Sequence, residues 1–127
     1  MKAATFIITN ALLSMHVAQG DIILTVSNTS IDSGGTGFAD IFIRSTGTDS
    51  LSSFDIGLSI SDVGSPVGVL QFTDPQADTE SSEADYIFNG VSGGVLSNVS
   101  TPTTMSQSDF HIGFTDISVA AADLLLG

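Results

Sequence analysis

The sequence predicts an all-β sandwich, and three observations carry that expectation. Apolar and polar residues alternate with period two in short runs. Clusters of Gly, Ser, Thr, Asn and Asp separate those runs. No stretch between them shows a convincing helical period. A chain of 127 residues suits one domain. Its hydrophobic content of 42% is too high for a disordered acidic tail, so the chain buries a core, although a small one.

The elements follow in chain order. Asp21–Asn28 reads as a strand with Ile22, Leu24 and Val26 on one face. The glycines of Asp32–Gly37 supply the backbone freedom of a turn. Phe38–Ser45 is a second strand with apolar residues on both faces: Ala39, Ile41 and Ile43 on one, Phe38 and Phe42 on the other. After the turn Thr46–Ser50, Leu51–Ser61 gives the clearest alternation. Phe54, Ile56, Leu58 and Ile60 point one way, and Asp55, Gly57, Ser59 and Ser61 the other, as in a half-buried antiparallel strand. Asp62–Pro66 is a turn and Val67–Phe72 a short strand. Asp74–Asp85 is an acidic loop and Tyr86–Asn89 a short strand. Val91–Gln107, rich in Gly, Ser and Thr, reads as a long loop with at most one weak strand. Phe110–Asp116 alternates again, with Phe110, Ile112 and Phe114 inward and His111 outward. A short helical turn is expected around Ala120–Ala122, and Leu124–Leu126 looks like a strand that begins and then stops.

Residues 1–20 read as a signal peptide. Lys2 gives the positive start, Ala3–Met15 is mostly apolar, and Ala18 and Gly20 are the small residues before a cut at Asp21. The competing reading is a first strand or helix of the mature fold. The apolar stretch is shorter than the ~20 residues of a spanning helix, and no second candidate follows, so no membrane span is expected in the mature chain. The mature domain is then 21–127, secreted or at the cell surface.

Charge narrows the partners. Fourteen acids stand against Lys2 and Arg44, a formal charge of −12. Such a surface repels phosphate backbones and anionic lipid, which argues against nucleic acid and membrane surfaces. There is no cysteine, so no disulfide framework or thiolate metal site exists.

The order of segments resembles the cohesin-like and carbohydrate-binding β-sandwich families of secreted bacterial proteins. The likeness rests on the first strand, on the Gly-rich turn leading into Phe38-Ala39-Asp40-Ile41-Phe42-Ile43, and on the strand opening Ser53-Phe54-Asp55-Ile56. It continues in Val69-Leu70-Gln71-Phe72, Phe110–Asp116 and Asp123–Gly127. The resemblance implies an immunoglobulin-like antiparallel sandwich. It also implies a non-enzymatic module that binds an extracellular protein or a polysaccharide. Those families run on through a full last strand. Against them, this sequence is expected to lack its final strand, leaving an unpaired edge through which the chain self-associates.

Candidate chemistry is sparse. A nucleophile needs a neighbouring base, and the mature chain has one histidine, His111, with no Gly-x-Ser-x-Gly elbow. Paired carboxylates of a glycosidase are not singled out by anything in the pattern. No enzyme is expected. The best candidate site is the acidic loop. Asp74, Gln76, Asp78, Glu80, Ser82 and Asp85 fall at the ligand spacing of a calcium loop, with Asp74, Asp78, Glu80 and Asp85 as carboxylate ligands. Thr79 stands where such a loop needs Gly, and Pro75 follows the first ligand. A solvated acidic loop is the other reading. Glycan stacking calls for exposed aromatic rings, yet there is no Trp, and Tyr86 is the only Tyr. Asn28-Thr29-Ser30 and Asn98-Val99-Ser100 match the glycosylation acceptor pattern.

Overall fold

A computed structural model describes residues 4–15, 20–27, 31–32, 34–62, 70–74, 76, 79–113, 115–119 and 121–127. The fold class is as expected: two antiparallel sheets face each other, and the described residues contain no α-helix. The strands are β1 (Ala4–Met15), β2 (Ile22–Val26), β3 (Ile41–Ser45), β4 (Asp49–Asp62), β5 (Leu96–Thr101), β6 (Thr104–Phe110), β7 (Ile117–Val119) and β8 (Leu124–Leu125). One sheet runs β1-β4-β6-β5, with β7 continuing along β4. The other runs β2-β3-β8.

β4 is the spine of the larger sheet because its alternation is the cleanest. Phe54, Ile56 and Leu58 are buried on its inner face, while Asp55 is exposed. β6 pairs with β4 from Ser53↔Phe110 to Ser59↔Thr104. β7 extends that same flank at Asp49–Leu51. On the other flank β1 pairs with β4 from Ala4↔Asp62 to Met15↔Leu51. Residues 4–15, part of the segment read above as a leader, are thus a strand while they remain attached.

One apolar cluster joins the two sheets. Ile41, Ile43 and Leu125 from the smaller sheet meet Leu51, Phe54, Ile56, Leu58, Met105 and Val119 from the larger. The turn carrying Tyr86, Ile87 and Phe88 fills the space between them. Phe88 is fully buried, stacks on Phe54 at 6.0 Å between ring centroids, and takes the edges of Tyr86 and His111 at 6.4 Å each.

Several segments differ from the sequence reading. Tyr86–Asn89 is a turn, not a strand, with Tyr86, Ile87 and Phe88 buried and Asn89 exposed; only Tyr86 bridges to Leu125. Val91–Gln107 is not a loop: it contains β5 and most of β6. The strand expected over Phe110–Asp116 ends at Phe110, and Ile112 is 62% exposed rather than inward. Leu70–Phe72 is irregular, although Phe72 N–H donates to the Pro102 carbonyl and its ring packs on the core. In place of a helical turn near Ala120–Ala122, Ile117–Val119 forms β7. Val67–Val69, Phe114 and Ala120 lie outside the described residues. Leu124–Leu125 does form a strand, β8, against β3. Leu126 N–H then donates to the Ile41 carbonyl at 2.7 Å.

Candidate functional site

The two ends of the interior differ. At one end, β4 residues Leu51, Phe54 and Ile56 face a filled core. At the other, Leu58 and Ile60 face a cleft of about 500 Å³ between the sheets. Its floor is apolar: Ile41, Phe42 and Leu125 from the smaller sheet, and Leu58, Ile60 and Met105 from the larger. Phe72 and Phe38 stand at its mouth, and Phe38 is 75% exposed. Four acidic residues also line it, Asp40, Glu80, Glu83 and Asp85, and among the described residues no basic residue does.

Three of these acids, Glu80, Glu83 and Asp85, are fixed to the fold by the backbone of one loop. Glu80–Ser82 forms a single 3-10 turn. The Ser82 hydroxyl donates to the Thr79 carbonyl at 2.7 Å, and Glu83 N–H donates to the Glu80 carbonyl at 2.9 Å. Asn89 Nδ2 donates to the Glu83 carbonyl at 2.8 Å. The loop end is stitched to β8, where Leu125 N–H donates to the Asp85 carbonyl at 3.0 Å and Ile87 N–H donates to the Leu125 carbonyl at 2.9 Å. Within the cleft the buried Gln107 amide donates from Nε2 to Glu80 Oε1. The arrangement offers an apolar floor, one amide, and negative charge at the rim.

Of the four carboxylates expected to bind calcium, Glu80 and Asp85 come to the cleft and Asp74 is exposed on the chain before them. Asp78 lies outside the described residues. Among the described residues no three His, Asp or Glu side chains gather closely enough to hold a metal ion.

The closed end holds a second polar group that sequence reasoning missed. Asp109 is 3% exposed, on the inner face of β6. Its Oδ2 accepts from the Tyr86 hydroxyl at 2.6 Å and from Ser92 Oγ at 2.5 Å. Its Oδ1 accepts from Phe110 N–H at 2.7 Å and Gly94 N–H at 3.1 Å. Four donors satisfy this carboxylate, as a buried charge requires. Gly94 reaches it with a φ of 116°, a conformation that favours glycine. A Cβ at the neighbouring Gly93 would overlap the Phe110 ring. Burial first, and then the bond to Asp109, push the Tyr86 phenol far above its usual range. Tyr86 is only 3% exposed, so its ring is not a sugar platform.

His111 serves local structure. Its Nδ1 accepts from Gly113 N–H at 2.9 Å, its ring meets Phe88, and Thr115 Oγ1 lies 3.1 Å from Nδ1. It closes the turn after β6 rather than facing outward from a strand.

The signal for Gln107 and Asp109 was present in the sequence. Met105, Gln107 and Asp109 alternate with Thr104, Ser106 and Ser108, a period-two pattern with only one apolar member. A search for apolar alternation passes over it.

Compared with protein-family models, curated proteins and solved structures, the chain matches none. The cohesin-like resemblance therefore rests on sequence motifs alone.

Proposed function

We propose that the chain is a secreted, non-enzymatic interaction module with an immunoglobulin-like, cohesin-like sandwich. Its cleft takes a segment of an extracellular partner protein that presents an apolar side chain flanked by Lys or Arg. The observation that carries this reading is the cleft itself: an apolar floor between the sheets with Asp40, Glu80, Glu83 and Asp85 around it. A formal charge of −12 draws cationic partners from a distance, and the carboxylate rim orients them. Apolar burial on the floor then supplies affinity, at roughly 25 cal/mol per Å².

Calorimetric titration with two peptides of the same apolar sequence tests it, one flanked by lysines and one by glutamates. The lysine peptide binds, more weakly as salt is added and more weakly to Glu83→Gln and Asp85→Asn. Equal binding of both peptides, or of neither, refutes the reading.

A carbohydrate-binding module is a second reading, favoured by one observation: the exposed Phe38 ring stands at the cleft mouth. Retention on a polysaccharide that Phe38→Ala abolishes would put this reading first.

A further inference from the structure

We infer that the outer edge of β4 is a strand-acceptor site, and that in a chain cut before Asp21 it is filled by β4 of a second copy. The inference rests on the leader reading of residues 1–20 and is independent of the cleft.

β4 has two flanks. β6 and β7 hold one. β1 alone holds the other, through eleven paired positions from Ala4↔Asp62 to Met15↔Leu51. All of β1 lies before the cut. Removing it strips β4 of its partner along almost its whole length and leaves a row of unpaired N–H and C=O groups. Those groups lie beside Phe54, Ile56, Leu58 and Ile60, which line the interior. Ile8, across from Leu58, packs against that same core and leaves with β1.

Natural edges are blunted by Lys, Pro or several charges. β4 has no Lys and no Pro, and two of its three acids, Asp49 and Asp62, stand at its ends. From Ser50 to Ser61 its only charged residue is Asp55. In a chain with fourteen acids, this neutral strip is where two copies can meet with little repulsion.

The alternation fixes the register. Inner residues must face inner residues, so paired positions differ by an even number. With Gly57 opposite Gly57 of the second copy, Phe54 faces Ile60 and Ile56 faces Leu58 on the inner side. Asp55 faces Ser59 on the outer side, and Ser53 faces Ser61. No carboxylate faces a carboxylate. The two Asp55 side chains stand four residues apart along the strand, about 14 Å at a rise of ~3.4 Å per residue. That exceeds the screening length of about 8 Å at physiological salt. The pairing is two-fold symmetric and closes as a dimer.

The test is made on the full chain, expressed once through a secretion pathway and once without it, with each N-terminus read by intact mass. Light scattering gives a dimer for the chain beginning at Asp21 and a monomer for the chain that keeps residues 1–20. Ser59→Asp sets like charges opposite each other twice and weakens the dimer on the order of tenfold. Ser59→Lys sets Lys opposite Asp55 and keeps it. Urea melts of both variants at dilutions where the unsubstituted chain is also monomeric show that the fold itself is retained. An uncut chain sinks the leader reading, and the inference with it, while leaving the cleft reading intact. A cut chain that stays monomeric, a dimer indifferent to Ser59→Asp, or a foreign or retained peptide found by mass on the cut chain overturns the second copy as the occupant.

Discussion

The two ends of the sandwich are built from the same strands yet do different work. At the closed end Phe88 sits between Phe54, Tyr86 and His111, and every bond that Asp109 can accept is supplied from nearby. Near it, Asp49 is 1% exposed and takes the Ser45 hydroxyl across the β3–β4 turn. At the open end the same β4 and β3 carry Leu58, Ile60, Ile41 and Phe42 to a cleft with carboxylates at its mouth. The closed end spends its polar groups on the protein itself. The open end ties Glu80 to Gln107 but leaves Asp40, Glu83, Asp85 and Phe38 exposed. Stability should therefore concentrate at the first end and recognition at the second.

The largest break in that contrast is Phe88→Ala. Phe88 is fully buried at the meeting point of both sheets, so its removal leaves a cavity and costs about 3–5 kcal/mol by urea unfolding. Next is Asp109→Ala, which leaves the buried Tyr86 hydroxyl and its neighbouring donors without their acceptor. A cost of roughly 2–4 kcal/mol is expected. Asp109→Asn keeps an acceptor for part of the network and costs less, about 1 kcal/mol. Equal costs for Asp109→Ala and Asp109→Asn would show that the network contributes little.

A smaller effect comes from pH. The folded phenol of Tyr86 holds its proton more tightly than the unfolded phenol, whose ordinary value is 10.0. Its contribution is therefore fully present below that pH and is lost as pH rises above it. The slope is about 1.4 kcal/mol per pH unit. Tyr86 is the only Tyr and there is no Trp, so phenolate absorbance reports this one group. Absorbance should rise only together with unfolding, and Tyr86→Phe should flatten the slope. A phenol that titrates near its ordinary value in the folded chain would place Tyr86 in contact with solvent.

β4 was more legible in the sequence than β6. Phe54, Ile56 and Leu58 alternate with Asp55 and Gly57, so β4 and its inner face were legible at once. The acids of Asp74–Asp85 were visible as a loop, but not that Glu80, Glu83 and Asp85 border a cleft. That depends on the loop being tied to β8, a contact far apart in sequence. β6 was read as loop because Gln107 and Asp109 occupy inward positions where apolar residues are expected. Their partners, Glu80 for one and Tyr86, Ser92 and Gly94 for the other, lie in segments that only tertiary packing brings near. The strand expected over Tyr86–Asn89 fails for a related reason. Its apolar run is short and fully buried, and burial alone does not distinguish a turn held inside the core from a strand.

The smallest expected stability effect is the sharpest test of the contrast. Phe38 is as large as Phe88 and equally apolar, but it is 75% exposed beside the cleft. Most of its surface is in water before and after substitution, so Phe38→Ser should move the urea midpoint by no more than about 0.5 kcal/mol. The same substitution removes an aromatic face from the mouth of the cleft and should weaken the lysine-flanked peptide. Loss of binding without loss of stability separates the two ends. If Phe38→Ser instead costs as much as Phe88→Ala, the mouth is part of the core and the open end is closed in solution. If it changes neither stability nor binding, the partner docks elsewhere than at the cleft mouth.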